Sequence, residues 1–486
     1  MTVKKLNLKF VLLMLVMMFI LGACSDSKND EPQQTETGIF NNLKKCPVDG
    51  INNIGEAVTI TDIRLIVAKM ANSELMGKKT KSCARDYTIS TINDERGDPN
   101  IYVINFANNS GFILISGNKN YVPVLAYSPT GNYVIGDEKN GGVKIWEKET
   151  IEAIKMVCTL PSDSVVKFRN MWFYYETTEN PENCIIPSVQ RELRDFDVES
   201  AWAAQVLAWN AAGYDVIPIT QSEITGNTTI DNRFRYSAQQ SIYPLYEDEW
   251  EHLSAVVRHS VSNINYKNNF IQTIWQQKNH YNDSCPIING EHAAVGCGPL
   301  AVGQVMRYYE YPTSFNWNNM PYNYPTPTTA QFLHIVGLQC NAQYGSETSI
   351  SLKYAKNALQ YYGFNASTAN HDYTRTINNL QLNRPVIMRG DLTKPDGSIS
   401  GHQWIASGFN NSYYYTVYDV YTFNNQTTID VVDTYDTDFI HVNYIYMVWG
   451  WNSQVNGFYY DNSVSVSGYF TSMNNRSDIY DIYPNN

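Results

Sequence analysis

One cysteine in this chain stands where a thiol could do chemistry. Residues 294–312 read AVGCGPLAVGQVMRYYEYP, with Cys297 between Gly296 and Gly298 and Pro299 two residues on. Pro299 suits the first turn of a helix, where its missing N–H has no partner to lose. Ala301, Val305 and Tyr308 then recur at helical spacing, Val302, Met306 and Tyr309 repeat the pattern one residue later, and Gln304 and Arg307 form the polar stripe. The spacing predicts a helix that is apolar over most of its circumference, runs through a core and stops before Pro312. Cys297 then sits at the helix N-terminus, where unpaired N–H groups and the helix dipole favour a thiolate. The two glycines leave the sulfur open to a substrate backbone. The competing reading is a buried cysteine used as a small hydrophobe.

A nucleophilic thiol needs a base and donors for an oxyanion. Of the eight histidines, His402 in SGHQWIASGF lies about a hundred residues downstream and leads into a strand-like apolar run. That separation suits a base delivered from the opposite half of a fold, although a strand histidine satisfied by a carbonyl has the same look. His292, five residues before Cys297, and His441 in FIHVNYIY are the other candidates. The Cys297 N–H at the helix start is one natural oxyanion donor. Gln277 or Gln276 in IWQQKNHYNDSCP could bring a side-chain amide. Trp449 in VWGWNSQVNGFYY could shield a thiol–imidazole pair from water, which strengthens it in a lower dielectric. Two indoles around a glycine also suit core packing or a carbohydrate platform.

The elements that must hold these groups fall into three textures. AVTITDIRLIVAKMANSEL reads as a helix capped by Thr61, with Ile63, Ile66, Val67 and Met70 as its apolar stripe. IYVINF and GFILIS flank ANNS as a hairpin, PVLAYS and NYV read as further strands around PTG, and GGVKIWEKETIEAIKMV opens another helix. DVESAWAAQVLAWNAAGY is helical, with Trp202, Val206 and Trp209 on one side. TQSEITGNTTIDNRFRYSAQQS reads as an exposed polar linker, the kind of segment that is cut. From about Tyr266 the chain becomes dense in Trp, Tyr, Gly and Asn, and strands dominate after residue 383.

The chain has 486 residues, enough for two or three cores, with 36 Tyr, 10 Trp and a net charge of -12. Basic patches of the kind a nucleic-acid binder carries are absent, and no partner of that class is expected. Eight cysteines show no metal-ligand spacing, and no glycine loop reads as a phosphate cradle, so neither a metal nor another cofactor is expected. Lys4, Lys5 and Lys9 precede an apolar run, Phe10 to Leu21, that is too short to span a bilayer. The following LGAC, ending at Cys24, resembles the bacterial lipoprotein signal, whose cysteine is lipidated. That resemblance implies a chain anchored through lipid in the bacterial cell envelope, or secreted after processing, with residues 24–54 as a flexible tether.

Taken together the segments resemble the streptopain-like cysteine peptidases, papain-like enzymes of bacteria. GCGPLAVGQVMRYYEYP followed by FNWNNMP is similar to the family's nucleophile segment, SGHQWIASGF to its base segment, WGWNSQVNGFYY to its Trp-Gly-Trp segment and IWQQKNHYNDSCP to the segment of its oxyanion glutamine, which favours Gln277. YVINFANNSGFILISGNKNYVPVLAYSPTGNY is similar to the family's inhibitory propeptide. The resemblance implies an α+β fold: a papain-like peptidase domain over 266–486, its central helix packed on an antiparallel sheet. A small α+β propeptide over 55–160 precedes it, a linker or helical connection fills 161–265, and residues 1–23 are the signal. It implies a zymogen whose propeptide covers the cleft and is cut away, and an endopeptidase acting on proteins or peptides through Cys297 and His402. Two departures stand out. The family usually writes Asn immediately before Trp-Gly-Trp, where this chain has Val448, with Asn443 five residues further off. It usually writes Asp where this chain has Ser407. These departures support an alternative, a degenerate peptidase-fold lipoprotein that binds peptides or glycans without cutting them.

Overall fold

The computed structural model describes residues 57–71, 86–136, 141–160, 198–241 and 253–461, apart from short gaps, with scattered residues between these ranges and further stretches to residue 485. The signal segment, Cys24 and the tether lie outside the described residues.

Two layers of helix sandwich one large antiparallel sheet. The helix Ile60–Ala71 comes first, and it buries Ile63, Ile66, Val67 and Met70, the stripe set by its spacing. Its cap is Thr59 rather than Thr61: the Asp62 N–H donates to Thr59 Oγ1 and the Thr59 N–H donates back to Asp62 Oδ2. This reciprocal pair satisfies two helix-end donors at once, and only position 59 has an acidic residue three places on. Strands β1 (Tyr87–Asn93), β2 (Pro99–Phe106), β3 (Phe112–Ser116) and β4 (Val124–Ser128) form a meander. The turn between β2 and β3 places Asn108 and Asn109 at φ of 59° and 54°, a left-handed backbone that asparagine tolerates well. NYV, read above as a strand, is not one: Asn132 to Val134 run outside the ladders, and the Asn105 side chain brackets Tyr133 instead. The helix Gly141–Val157 completes this N-terminal unit.

The helix Val198–Ala211, β5 (Asp215–Pro218), the helix Thr228–Ser241 and β6 (Ser254–Lys267) follow. Here the structure departs from the sequence reading. Residues 228–241 are not an exposed linker but a helix that buries Asp231, Phe234 and Ala238. Asp231 accepts from the Ile224 and Thr225 N–H groups and folds TQSEITG back onto the helix start. Polar composition hid an apolar pair spaced four apart. The boundary drawn at residues 265 and 266 falls inside β6.

A short hairpin, β7 (Ile287–Ile288) and β8 (Glu291–His292), leads to the helix Cys297–Tyr309. Two more helices, Pro327–Gln339 and Leu352–Tyr361, precede β9 (Phe364–Asn370) and the helix Tyr373–Gln381. The C-terminal strands are β10 (Val386–Thr393), β11 (Ile399–Asn424), β12 (Thr428–Asp436), β13 (Ile440–Val448), β14 (Gly457–Tyr460), the small pair β15 (Ser465–Val466) and β16 (Tyr469–Phe470), and β17 (Ser477–Pro484).

The 26-residue β11 is the spine. Its first half pairs with β10 on one edge and β13 on the other. Its second half pairs with β6 and β12. The main sheet runs β1-β2-β3-β4-β14-β13-β11-β10-β17-β9, so the N-terminal meander joins the C-terminal sheet through β4 and β14, at Tyr127 with Phe458 and Ala126 with Tyr459.

Alternation along the strands divides the core. Ile387, Ile405, Val448 and Ile479 face the helix Cys297–Tyr309 and its neighbours. Met388, Trp404, Ala406, Met447, Trp449 and Tyr459 face the N-terminal unit and share one apolar cluster with Phe112, Tyr127, Ile145 and Trp146. Polar ties cross the same boundary: Trp146 Nε1 donates to Tyr460 O at 2.9 Å, Tyr444 Oη to Val124 O at 2.7 Å and Asn410 Nδ2 to Tyr127 Oη at 2.7 Å. A third, smaller cluster packs Phe234 and Ala238 on Val256 of β6 and on Tyr418 and Val420 of the far half of β11, outside the site.

Candidate active site

Cys297 is the first residue of its helix. Gly296, before it, has φ of 92° and a Cβ there would stand 2.9 Å from Thr348 Cγ2. At Gly298 a Cβ would meet Ile350 Cδ1 at 2.3 Å. Both glycines are therefore required by backbone and packing, and not only by substrate access. The polar residues of the helix are buried and satisfied. Gln304 Nε2 donates to Thr273 O and Oγ1, and Arg307 Nε donates to Met320 O.

The structure brings His402 to this helix start. Burial by itself pushes the Cys297 thiol up. The charge of His402, its hydrogen bond to the sulfur and the Gln403 and Gly298 N–H groups outweigh that, and the thiol sits below its ordinary value. The Gln403 N–H donates to Sγ at 3.4 Å. Burial likewise pushes His402 down, but the charge and hydrogen bond of Cys297 and the Trp449 carbonyl raise it overall. The two shifts run in opposite directions on neighbouring groups, each favouring the other's charged form.

His402 Nε2 donates to Trp449 O at 3.1 Å, which leaves Nδ1 for the sulfur. The missing asparagine is thereby accounted for. The Val448 side chain points into the core beneath the Cys297 helix, on the sheet face opposite His402. Asn443 does not stand in for it, because β13 runs unbroken from Ile440 to Val448 and puts Asn443 about 20 Å of strand away from Trp449. Ser407, where an aspartate was expected, donates to Asn269 Oδ1 at 2.5 Å. His292 is tied to Cys285 O at 2.7 Å, and His441 is exposed on β13 beside Tyr413.

The two glutamines separate by environment. Gln276 accepts from Asn279 Nδ2 at 2.6 Å. Gln277 is 3% exposed, and its Nε2 is buried with no acceptor. The Gln277 carbonyl accepts the Val295 N–H at 2.9 Å, which lays the residue alongside the segment entering Cys297. A buried amide donor without an acceptor, on a residue whose backbone is paired two residues before Cys297, is a group an oxyanion could use. Gln277→Ala is expected to lower kcat by about 10²–10³-fold with little change in KM, measured on a chromogenic peptide after processing.

Trp449 is fully buried, 5.1 Å from Trp404 and 5.0 Å from Tyr459 between ring centroids. Trp404 stacks on His402 at 6.2 Å and 17°. Over this aromatic floor lies the start of the helix Gly141–Val157. A Cβ at Gly141 would stand 3.6 Å from His402 Nδ1. One at Gly142 would stand 2.5 Å from Trp449 Cε3 and 2.6 Å from His402 Cδ2. The N-terminal unit thus sits directly on the imidazole, and at position 142 only glycine fits. Gly142→Val is expected to force the helix start off the site at a cost of about 2 kcal/mol and to speed chain shortening roughly tenfold, followed on gels. Among the described residues no group of His, Cys, Asp and Glu is arranged to hold a metal ion.

Residues 275–316, which contain Gln277 and Cys297, match the peptidase C10 family, and residues 64–154, which contain Gly141 and Gly142, match the family described as Spi protease inhibitor. A fragment of Prevotella intermedia prointerpain A is similar at 16% identity, over 82% of this chain and 100% of that one, with a TM-score of 0.44. Active Prevotella intermedia interpain A, a cysteine protease, is similar at 18% identity, over 45% of this chain and 95% of that one, with a TM-score of 0.33. Nothing among curated proteins matches. The two family matches, in this order along one chain, are those of a cysteine peptidase with a segment similar to the Spi protease inhibitor ahead of its peptidase part.

Proposed function

We propose that the chain is the zymogen of a cysteine endopeptidase that hydrolyses peptide bonds through Cys297 and His402 and is held inactive by its own N-terminal unit. The observation that carries this reading is the helix start at Gly141 and Gly142 lying on the His402 ring, where a substrate backbone would have to pass. The Cys297 thiolate attacks the peptide carbonyl carbon, and the oxyanion takes hydrogen bonds from the Cys297 N–H and Gln277 Nε2. His402 Nδ1 gives its proton to the leaving amine as the C–N bond breaks, which leaves a thioester on Sγ. A water that loses its proton to His402 then adds to the thioester, and the acid departs as the thiolate returns.

The location belongs to the same proposal. The chain is exported and tethered by lipid on Cys24 in the bacterial cell envelope, or released from it after processing, and protein or peptide substrates reach it there. The Lys4–Lys9 region, the apolar run and LGAC support this. The alternative of a degenerate binding protein drew on Val448, and the Trp449 carbonyl supplies the contact that Val448 lacks.

The test uses thiol reactivity. Burial pushes Cys285 up to about 11 and Cys340 up to about 12, whereas Cys297 is lowered. Iodoacetamide at mildly acidic pH, applied to the processed protein, is expected to alkylate Cys297 ahead of those two, read by peptide mass, and to stop hydrolysis of casein. Equal labelling of all three, or casein hydrolysis that survives alkylation of Cys297, would reject the reading.

A further inference from the structure

The chain ends β13 with valine where a side-chain amide was expected, yet His402 is still held. The holding group is a main-chain carbonyl, and a carbonyl has to be aimed by something. After Val448 the backbone leaves the β13 ladder and turns at Gly450, whose φ is 81°. The Trp449 N–H, which no longer has a strand partner, donates to Asn456 Oδ1 at 3.0 Å. Asn456 is 8% exposed, and its own N–H donates to Ser453 O at 3.2 Å, so it closes the loop 449–456 from within. Trp449 is held at its N–H by Asn456, and its carbonyl then meets His402 Nε2 at 3.1 Å.

We propose that Asn456 is the positioning residue of this site: its amide oxygen fixes the Trp449 backbone so that the Trp449 carbonyl accepts from His402 Nε2 and keeps the imidazolium facing Cys297. The proposal rests on the reading of Cys297 and His402 as nucleophile and base. Asn456 touches neither reacting group and acts through one residue of backbone. A hydrogen bond to the charged imidazolium favours that form, and the thiolate gains with it. Loss of the bracing therefore shows as a thiolate that forms at higher pH.

The experiment reads the ultraviolet absorbance of the thiolate against pH in the full-length chain, with the Cys297→Ser chain as the reference to subtract. It requires neither turnover nor access for a reagent. Asn456→Leu, similar in volume but without an acceptor, is expected to move the Cys297 midpoint up by about one unit, or roughly tenfold in thiolate fraction. Asn456→Asp, which keeps an acceptor oxygen in place, is expected to restore it. Asn456→Ala replaces the leucine variant if that one does not fold, as judged by its thermal unfolding. An unmoved midpoint in a folded Asn456→Leu or Asn456→Ala chain overturns the proposal. So does a shift that Asn456→Asp fails to reverse, because a merely structural role would behave that way. A Cys297 midpoint in the ordinary thiol range in the unmutated chain sinks the nucleophile reading itself, and that result is visible before any Asn456 variant is made.

Discussion

Cys297→Ala is expected to remove hydrolysis of casein and of the chain itself by about four orders of magnitude or more, while leaving the fold intact. Nucleophile and base act as one unit, so either loss alone should cost nearly as much as both. His402→Ala is therefore expected to give nearly the same residual rate, and the double variant no further fall. Little change in stability is expected for the alanine, because Cys297 stands at a helix end and the substitution removes a single atom there. The measurement is progress curves on casein together with the time course of chain shortening. Shortening of the Cys297→Ala chain at the original rate in a purified sample would mean that another group cuts.

The second large effect is on stability. Arg476 is 2% exposed and lies in a buried charge cluster that crosses from the peptidase part to the inhibitor segment. Its Nη2 donates to Glu149 Oε2 at 2.6 Å, on the helix Gly141–Val157, and Nη1 lies 3.8 Å from Asp461 Oδ1. His371 joins the same cluster, with Nδ1 2.7 Å from Asp478 Oδ2 and Nε2 3.1 Å from Asp461 Oδ1, and both aspartates are fully buried. Removal of one cation leaves carboxylates without compensation, so Arg476→Met is expected to cost about 3–5 kcal/mol in urea unfolding of the full chain. Glu149→Gln should cost less and act mainly on the tie between Arg476 and the helix Gly141–Val157, because Glu149 keeps some solvent. A midpoint within error of the original in Arg476→Met would show that the cluster is hydrated and weak.

The same cluster sets a pH dependence. Burial pushes His371 down, but Asp461 and Asp478 outweigh it and raise it from 6.5 to about 10. A raised folded value means that the stabilisation is fully present below about 6.5 and is lost as pH rises through about 10. Thermal stability should therefore fall between neutral pH and pH 10, and His371→Gln should flatten that fall. A slope of the opposite sign would contradict the cluster's protonation.

Local pattern made several elements legible. The spacing of Ile63, Ile66, Val67 and Met70 set the buried face of the first helix, because a 3.6-residue period needs no tertiary information. ANNS between two apolar strands set the hairpin, and GCGPLAVGQVM set the helix that starts at Cys297. The helix Thr228–Ser241 was not legible, since its buried face consists of three residues in a polar run and exists only against β6 and β11. The cap at Thr59 was missed for a smaller reason: Thr59 and Thr61 differ only in whether an acidic side chain stands three residues on.

The site divides along the same line. The sequence by itself determined which residue types could do the chemistry: a thiol at a helix start, a distant imidazole, a nearby amide and an indole pair. Only the tertiary structure decided which of them meet. The pleat of β11 and β13 put Val448 on one face of the sheet and Trp449 on the other, and the partner of His402 Nε2 is a main-chain carbonyl. Burial separated the two glutamines, since Gln276 found Asn279 and the Gln277 amide nitrogen found no acceptor. The pairing of β4 with β14 laid the helix Gly141–Val157 across His402. Each of these is a long-range contact whose partner lies far along the chain, and no local period encodes which distant strand edge a segment will meet.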